Sequence, residues 1–527
     1  MVAASELPIR TVREGTDATD MAETIFGDGV TVVGATYSGD RDSAGIYSNG
    51  DNVAPGATPS DTGVILSTGD AQDFTNRWGS SNQSTSTSTN TSGRSNDSMF
   101  NQQAGANTYD AAWLDIDFIP TGDVMTMQFV FSSEEYPEFQ NSVYQDFVGV
   151  WINGQFVEMT IGDGDTDPGN VNQTNNLNMF LDNSNDAFNT EMDGLTITMT
   201  LTIPVISGSV NSIRIGIADV SDSNYDSNLL IAADSMQTLL IANTDDAHVA
   251  PDGSKVVDVL ANDVNNGNGS LTITHINNMA VVAGQTITLP TGQQVMLNAD
   301  GTLTLIGDGD SEDFNFTYQV DNGDNTDIGY VNVSSIPCFV AGTMIATPTG
   351  EARVEDLVPG DLVMTQDEGA QPLRWIGQRT VAAAGKFAPV CVRANTFGTH
   401  RELLVSPEHR ILIRDSLAEL LFGEAEVLVA AKDLVNDRSV RARAGGEVTY
   451  VHLMFDKHQV VFSEGLATES FLPGPQTEKS FEQDILNEIC ALFPELDPST
   501  GQGYSPAARR TLKHFEADLW RRAQKVA

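Results

Sequence analysis

Short runs of β-branched and aromatic residues follow one another from residue 30 to residue 334, and clusters of glycine, asparagine, aspartate and serine separate them. Such runs, bounded by turn-forming residues, are typical of strands. The chain is also too long for a single hydrophobic core. The pattern predicts a mainly β, multidomain protein with a β-sandwich-like domain over residues 1–242 and a second sandwich of seven short strands over 243–334.

Two segments of the first domain allow local predictions. In DFVGVWINGQFVEMTIG, two β-rich runs flank Asn153 and Gly154, a pair that tolerates the positive φ angles of a type I′ turn. A β-hairpin is predicted there. Residues 80–98 contain no apolar side chain to offset the entropy of ordering, so we expect a flexible surface loop.

Charge divides the chain near residue 335. Residues 1–334 hold 7 basic and 46 acidic side chains, a net charge of −39, whereas the other 193 residues hold 20 and 26, a net charge of −6. Because nucleic acids and anionic membranes require clustered Lys and Arg, the acidic part is expected to repel both, and divalent cations are the more plausible partners. All three cysteines, Cys338, Cys391 and Cys490, lie after the boundary.

The N-terminal sequence MVAASELPIRTVREGTD lacks the apolar core of a secretory signal, and no later run has the length of a transmembrane helix. We therefore expect a soluble protein without a transmembrane segment. If it is extracellular or at the cell surface, we expect export without an N-terminal signal peptide; otherwise we expect a cytoplasmic protein.

The first two domains resemble known bacterial families. The motifs GDGVTVVGATYSGD, SDTGVILSTGDAQDF and FVFSSEEYPEFQNSVYQDFVGVWING resemble the choice-of-anchor L domain of secreted or surface-attached proteins. Residues 243–334, from NTDD through VDVLANDV to FTYQVDNG, resemble cadherin-like or VCBS-type repeats. Both resemblances imply a secreted or surface-associated bacterial protein, for which a cell-surface or extracellular ligand is a candidate partner.

Residues 335–474 resemble a hedgehog/intein (Hint) autoprocessing domain in three consecutive blocks. The blocks are PCFVAGTMIATPTGEARVEDLVPGDLVMTQD, LLVSPEHRILI and YVHLMFDKHQVVFSEGLATESF. This resemblance implies a β-rich domain that cleaves the peptide bond before Cys338, with the protein's own N-terminal segment as the substrate. No cofactor is expected for that chemistry.

The resemblance assigns a role to each residue type in these blocks. The Cys338 thiol attacks the Pro337 carbonyl and converts the peptide bond to a thioester, while His409 supplies a proton to the poor nitrogen leaving group. Ser406 occupies a position where many Hint domains have threonine, and its hydroxyl holds the scissile amide. Asp456 and His458, two apart on a predicted strand and therefore on one face of it, are candidates for the second step.

The end of the domain favours cleavage over splicing. A splicing intein ends in His-Asn before Cys, Ser or Thr, whereas this sequence ends ATESFLPGP. An external nucleophile, such as water, a thiol or an amine, is therefore expected to resolve the thioester, and sterol transfer has no sequence support. Pro337 has a fixed φ that restricts how its carbonyl is presented, so processing is expected to be slow or to depend on folding.

Several acidic residues are candidates for calcium binding. Those in GDGDTDPGN imitate the start of a calcium loop but depart from the EF-hand pattern at its glycine and bidentate glutamate positions. Adjacent Glu134 and Glu135 are not expected to form a glycosidase pair, because neighbours on a strand point to opposite faces. The candidate ligands are Asp163, Asp165 and Asp167 in the first domain, and Asp245, Asp246 and Asp263 in the second, with Asp308, Asp310, Glu312 and Asp313 as further acidic positions.

Other conspicuous residues are expected to have packing roles. We predict this for His452, Cys391 and Cys490. Residues 475–527 are predicted to form a short α-helical tail, in which Ser505 caps a helix beginning at Pro506 and the amphipathic helix docks on its own domain.

The sequence therefore predicts self-cleavage at the Pro337/Cys338 bond by an N-to-S acyl shift and a thioester. The alternative is a non-catalytic, adhesin-like or structural calcium-binding surface protein whose Hint domain is degenerate.

Overall fold

The computed structural model describes residues 5–78, 80–140, 142, 144–157, 159–161, 164–247, 249, 253–308, 314–333, 338–383, 388–436, 438–472, 493, 504–512, 516–517 and 520–521. Contacts divide the chain into two units. One comprises residues 1–245, 256–304 and 314–332, and the other comprises 246–255, 305–313 and 333–527. The fold is mainly β throughout, as the sequence predicts.

The first domain contains an eight-stranded and a five-stranded antiparallel sheet. The strands are β1 Ile9–Thr11, β2 Val30–Ser38, β3 Ala44–Tyr47, β4 Gly63–Ser67, β5 Thr108–Pro120, β6 Val124–Ser133, β7 Phe147–Ile152, β8 Gln155–Val157, β9 Thr160–Ile161, β10 Gly164–Asp165, β11 Phe180–Asp182, β12 Gly194–Thr196, β13 Met199–Pro204, β14 Asn211–Val220, β15 Ser227–Ala232 and β16 Leu240–Ile241. The strand order is β1-β3-β4-β15-β6-β12-β11 in the larger sheet, where β13 also pairs with β6, and β2-β5-β14-β7-β8 in the smaller sheet. Helices α1 (Ala18–Ile25), α2 (Gly50–Val53) and α3 (Ser98–Ala104) lie between strands.

The predicted hairpin is confirmed. Strands β7 and β8 pair with Ile152 opposite Gln155, and Asn153 and Gly154 between them have φ of 50° and 78°. Both turn residues therefore adopt the left-handed conformation that a type I′ turn requires.

The polar segment 80–98 lies largely on the surface, as expected, but many of its backbone groups are held in place. The N–H groups of Gln83 and Ser84 donate to Glu191, that of Thr87 to Glu134, and that of Thr89 to Asp226. Hydrogen bonds to buried carboxylates thus offset part of the ordering cost that apolar burial cannot.

The described residues of the second domain form ten strands, among them all seven that the sequence predicts. The ten strands comprise a five-stranded sheet of order β17-β26-β25-β20-β21, a four-stranded sheet of order β18-β24-β23-β22, and β19, which pairs with β16. The alternating residues of β25 and β26 supply buried aromatic and aliphatic side chains, including Phe316 and Tyr318. The strands are β17 Asp245–Ala247, β18 Ser254–Val257, β19 Val264–Asn265, β20 Thr272–Ile276, β21 Met279–Ala280, β22 Thr286–Thr288, β23 Gln294–Leu297, β24 Leu303–Ile306, β25 Phe314–Asp321 and β26 Thr326–Val333.

The third domain consists of a six-stranded sheet, β32-β38-β27-β34-β33-β37, and a nine-stranded sheet, β29-β28-β39-β40-β35-β36-β41, with β30 paired to β39 and β31 to β30. Helix α4 (Ser416–Phe422) follows β35. The strands are β27 Phe339–Val340, β28 Met344–Thr347, β29 Gly350–Arg353, β30 Leu362–Thr365, β31 Gly369–Pro372, β32 Trp375–Ala382, β33 Val390–Val392, β34 Leu403–Val405, β35 Arg410–Arg414, β36 Glu426–Ala430, β37 Val440–Ala442, β38 Glu447–Met454, β39 Val460–Ser463, β40 Leu466–Glu469 and β41 Arg510–Thr511.

The tail docks on this domain, but not with the helix start predicted at Ser505. Residues 510–511 form strand β41, which extends the nine-stranded sheet in parallel with β36, and among the tail residues that the structure describes the helical ones are 516–517 and 520–521. The Ser505 hydroxyl accepts the His458 N–H at 2.7 Å instead of capping a helix. Buried Leu512 and Trp520 join the aliphatic core, so tertiary pairing overrides local helix propensity here. The other predicted tail helix, around Cys490, lies outside the described residues.

In the part of the chain that the structure describes, no helix has the length and apolar character needed to cross a membrane.

Candidate functional site

Strand register brings the candidate nucleophile between two other polar residues. In the six-stranded sheet, Phe339 of β27 lies opposite Val405 of β34 on one side and Val451 of β38 on the other. One residue earlier, the same antiparallel register sets Cys338 opposite Ser406 and His452. Ser406 was predicted as a site residue, whereas His452 was not.

Ser406 makes two hydrogen bonds to the backbone of Cys338. Its N–H donates to the Cys338 carbonyl at 3.0 Å, and its hydroxyl accepts the Cys338 N–H at 2.8 Å. In an ordinary antiparallel pair the second bond would go to the Ser406 carbonyl. That carbonyl accepts the His409 N–H at 3.1 Å instead, so the hydroxyl takes its place in the ladder. Ser406 therefore contacts the nitrogen of the predicted scissile bond.

The Cys338 sulfur lies beside His452. The distance from Cys338 Sγ to His452 Nε2 is 3.5 Å, and both side chains are buried. Tyr450, two residues earlier on β38 and therefore on the same face, packs near the same cysteine. The His452 ring also packs near Trp375 and Phe471. His452 therefore packs among aromatic rings, as predicted, and it also contacts the sulfur, which the sequence did not predict.

The His409 ring packs on Phe339, with ring centroids 4.4 Å apart. Phe339 is the chain neighbour of Cys338, and neighbouring residues of an extended strand point to opposite faces. The His409 ring therefore packs on the face opposite the Cys338 side chain. Neither ring nitrogen has a hydrogen-bond partner among the described residues. Burial lowers the pKa of His409 to about 4, although the Glu469 carboxylate opposes the shift. The imidazole is therefore neutral at pH 7.

A buried ion network supports the turn that carries His409. Glu469, at the end of β40, accepts the Arg410 N–H at 2.9 Å and pairs with the Arg410 side chain at 3.2 Å. His458 Nε2 lies 3.5 Å from the same carboxylate. Burial acts to raise the pKa of Glu469, but Arg410 and His458 outweigh it and hold the value at about 2. Sequence reasoning missed this residue because only the three-dimensional structure reveals its complete burial.

The prediction that Asp456 and His458 share one face of a strand is wrong. Strand β38 ends at Met454, and both residues lie in the turn before β39. Asp456 is largely exposed and pairs with Arg374 at 3.1 Å, whereas His458 is buried. His458 Nε2 lies 3.1 Å from the Ser470 carbonyl, and His458 Nδ1 accepts the Ala508 N–H at 2.9 Å. Their second-step roles stay predictions.

The predicted calcium ligands are only partly brought together. The Asp263 carboxylate accepts the Asn243 N–H at 2.8 Å and the Tyr318 hydroxyl at 3.0 Å, and the Asp245 charge also acts on Tyr318. Asp246 is exposed, and the Asp167 carboxylate accepts the N–H of Asn170 in a turn. Among the described residues, no group of three or more Asp, Glu, His or Cys side chains is arranged to hold a metal ion. Asp163, the side chain of Asp165, Asp310, Glu312 and Asp313 lie outside the described residues, as does Pro337.

Three family models match consecutive parts of the chain. Residues 337–475 match the Hint domain, residues 11–237 the choice-of-anchor L domain, and residues 237–334 the bacterial Ig domain. Two intein crystal structures are similar over 25% of this chain and 98% of their own: the gp41-1 intein, at 11% identity, and the MchDnaB-1 intein, at 14%, each with a TM-score of 0.17. No curated protein matches the chain.

The third domain, with Cys338 at its head, is a Hint domain. The chain as a whole combines a choice-of-anchor L domain, a bacterial Ig-like domain and this Hint domain. The Ig-like match confirms the class of the second sandwich, whereas the narrower VCBS-type assignment stays a prediction.

Proposed function

We propose that the Hint domain cleaves its own chain at the Pro337/Cys338 bond. The observation that carries the proposal is the pair of contacts made by Cys338: its sulfur with His452 Nε2 at 3.5 Å, and its amide nitrogen with the Ser406 hydroxyl at 2.8 Å. The nucleophile and the leaving group of one peptide bond thus each have a partner able to exchange or share a proton.

The reaction begins with transfer of the thiol proton to His452, because the thiolate is the nucleophile. Sulfur attacks the carbonyl carbon of Pro337, the new C–S bond forms, and the C–N bond breaks. The departing nitrogen of Cys338 takes up a proton, and the net result is a proton moved from sulfur to nitrogen. Water then hydrolyses the thioester, leaving a carboxylate on Pro337 and a free amine and thiol on Cys338.

In this scheme His409 is not a protonated acid before the reaction begins. With a pKa of about 4 it is protonated in roughly one molecule in a thousand at pH 7. It therefore acts through the N–H of its neutral ring, or delivers a proton only as charge builds on the nitrogen. The His452 imidazolium releases the thiol proton to solvent, and solvent returns one proton to His409 if His409 has protonated the nitrogen, so the net change is one proton moved from sulfur to nitrogen.

Intact mass measurement tests the proposal. Purified wild-type protein, incubated with and without dithiothreitol or hydroxylamine, should yield a fragment that begins at Cys338, and Cys338→Ala should stay full length. Cys391→Ala is the matched control, because it removes the other buried thiol of the domain, and it should cleave like the wild type. His452→Gln should slow cleavage by roughly 100-fold. A wild-type chain that stays intact, or a band that persists in Cys338→Ala, contradicts the thioester route.

We also infer that the protein is associated with the cell surface. The support is the choice-of-anchor L domain over residues 11–237 together with the Ig-like domain that follows it. Antibody labelling of intact cells against permeabilised cells tests this inference, and a signal seen only after permeabilisation counts against it.

A further inference from the structure

The C-terminal tail contacts the Hint domain beside its candidate site, beyond the residues that the family model matches. We define the tail segment as residues 504–512. The Tyr504 hydroxyl donates to the Phe455 carbonyl at 2.5 Å, and the Ser505 hydroxyl accepts the His458 N–H at 2.7 Å. Both partners belong to the turn between β38 and β39. The tail segment therefore holds the turn that follows β38.

One tail contact fixes the tautomer of a buried histidine. The Ala508 N–H donates to His458 Nδ1 at 2.9 Å, and a ring nitrogen that accepts a hydrogen bond carries no proton. The proton of the neutral ring therefore lies on Nε2. That nitrogen is 3.1 Å from the Ser470 carbonyl oxygen and 3.5 Å from the Glu469 carboxylate. The tail thus determines that the His458 ring presents an N–H, and not a lone pair, to these two acceptors.

A first route runs from His458 through Glu469 to His409. The Glu469 carboxylate accepts the N–H of Arg410, the residue that follows His409, at 2.9 Å, and pairs with the Arg410 side chain at 3.2 Å. The side chains of His458 and Glu469 both have an exposed fraction of 0%, so solvent does not reach them. A change in the position of the His458 ring is therefore passed on to the turn that carries His409.

A second route runs from Tyr504 to His452. Tyr504 packs against the cluster formed by Trp375, Met454 and Phe471. The rings of Trp375 and Phe471 in turn pack near the His452 ring, with centroids 6.4 Å and 5.9 Å away. Because protein interiors are close-packed, the side chains around a buried ring determine its orientation. Tyr504 therefore contributes to the orientation of His452.

Other contacts seat the tail segment independently of these two routes. Strand β41 pairs with β36, and the Leu512 N–H donates to the Leu428 carbonyl at 2.9 Å. The Arg509 side chain pairs with Glu426 at 2.6 Å and with Asp367 at 2.7 Å. Removal of one hydroxyl at the start of the segment therefore alters a route without releasing the segment from the sheet.

We propose that the tail segment positions His409 and His452 for cleavage, an inference that rests on the self-cleavage proposed above. Tyr504 and Ser505 are positioning residues, because they act through other side chains and not on the reacting atoms. A displacement of about 1 Å in a reacting constellation can cost roughly 100-fold in rate. The Hint domain therefore reaches its full cleavage rate only while the tail segment is seated.

Cleavage rates of full-length variants test the proposal. Ser505→Ala and Tyr504→Phe each remove one hydroxyl, and each should slow the appearance of the fragment that begins at Cys338 by roughly tenfold. Ser505→Thr keeps the hydroxyl and should cleave like the wild type. Trp520→Phe is the matched control, because it breaks another hydrogen bond of the tail, to the Asp415 carboxylate, that belongs to neither route. It should cleave like the wild type, although urea denaturation should show at least as large a loss of stability.

Nuclear magnetic resonance of the full chain carrying Cys338→Ala gives a second readout, which does not depend on cleavage. With isotope-labelled histidine, Ser505→Ala should shift the ring signals of His409. Tyr504→Phe should shift those of His452, and the tail control should shift neither.

The two readouts separate this proposal from the proposed function. If the wild type stays intact while the ring signals shift as expected, self-cleavage fails and the positioning of the two histidines stands. If the wild type cleaves and both hydroxyl variants match its rate, or the control slows as much as they do, the positioning proposal is overturned. Ring signals that stay in place in both hydroxyl variants overturn it as well, as does a proton on Nδ1 of His458.

Discussion

Acidification should destabilise the Hint domain through His409. The folded-state pKa of this buried imidazole is about 4, against about 6.5 in an unfolded chain. Between pH 4 and pH 6.5 the folded state binds fewer protons at His409 than the unfolded state does. The stabilisation that comes from the neutral His409 ring is therefore fully present above pH 6.5, and it is lost as the pH falls from 6.5 to 4. A shift of about 2.5 pKa units corresponds to about 3 kcal/mol.

Urea denaturation of the Cys338→Ala chain at a series of pH values measures this effect. Other groups titrate in the same range, including buried carboxylates whose pKa values are raised, so the informative quantity is a comparison with His409→Gln. The difference in unfolding free energy between the two chains should change by about 3 kcal/mol between pH 7.5 and pH 4, in favour of the variant at low pH. If the two stability curves run parallel within about 0.5 kcal/mol, the reasoning is refuted.

Two further substitutions test the supports of the site. Ser406→Ala leaves the buried Cys338 N–H without its acceptor, so we expect a free energy of unfolding lower by about 1–3 kcal/mol and slower cleavage. Ser406→Thr keeps a hydroxyl and should preserve the stability and the cleavage rate. If Ser406→Ala equals the wild type in urea denaturation and in cleavage rate, the Ser406 hydroxyl does not support the site. Glu469→Gln removes the buried carboxylate that pairs with Arg410 and should cost about 2–3 kcal/mol in the same assay. Glu368→Gln, which breaks an exposed ion pair, should cost under about 1 kcal/mol, and equal losses would refute the argument.

Local sequence patterns determined most of the strands and turns. The hairpin at Asn153–Gly154 follows from the positive φ angles that this pair tolerates, and seven of the strands of the Ig-like domain follow from alternating β-formers between turn residues. The Hint blocks likewise predicted Cys338, Ser406 and His409 as site residues, because these residues lie within contiguous motifs.

The tertiary structure alone decided how distant segments meet. His452 becomes a neighbour of the Cys338 sulfur because β27 pairs with β38 in one particular register, and a shift of one residue would turn His452 to the other face. The tail shows the same limit: Arg510 and Thr511 carry a helical pattern, yet pairing with β36 makes them a strand.

Burial and charge environment were equally inaccessible from the sequence. Glu469 and the buried carboxylates of Glu135, Asp146 and Asp219 look like any other acidic residues in a chain with 72 of them. Only folding removes these few from water, and the desolvation of a carboxylate depends on every segment packed around it. The sequence therefore determined which chemical groups are present and which local structures they form, whereas the long-range pairing of strands decided which of those groups became a site.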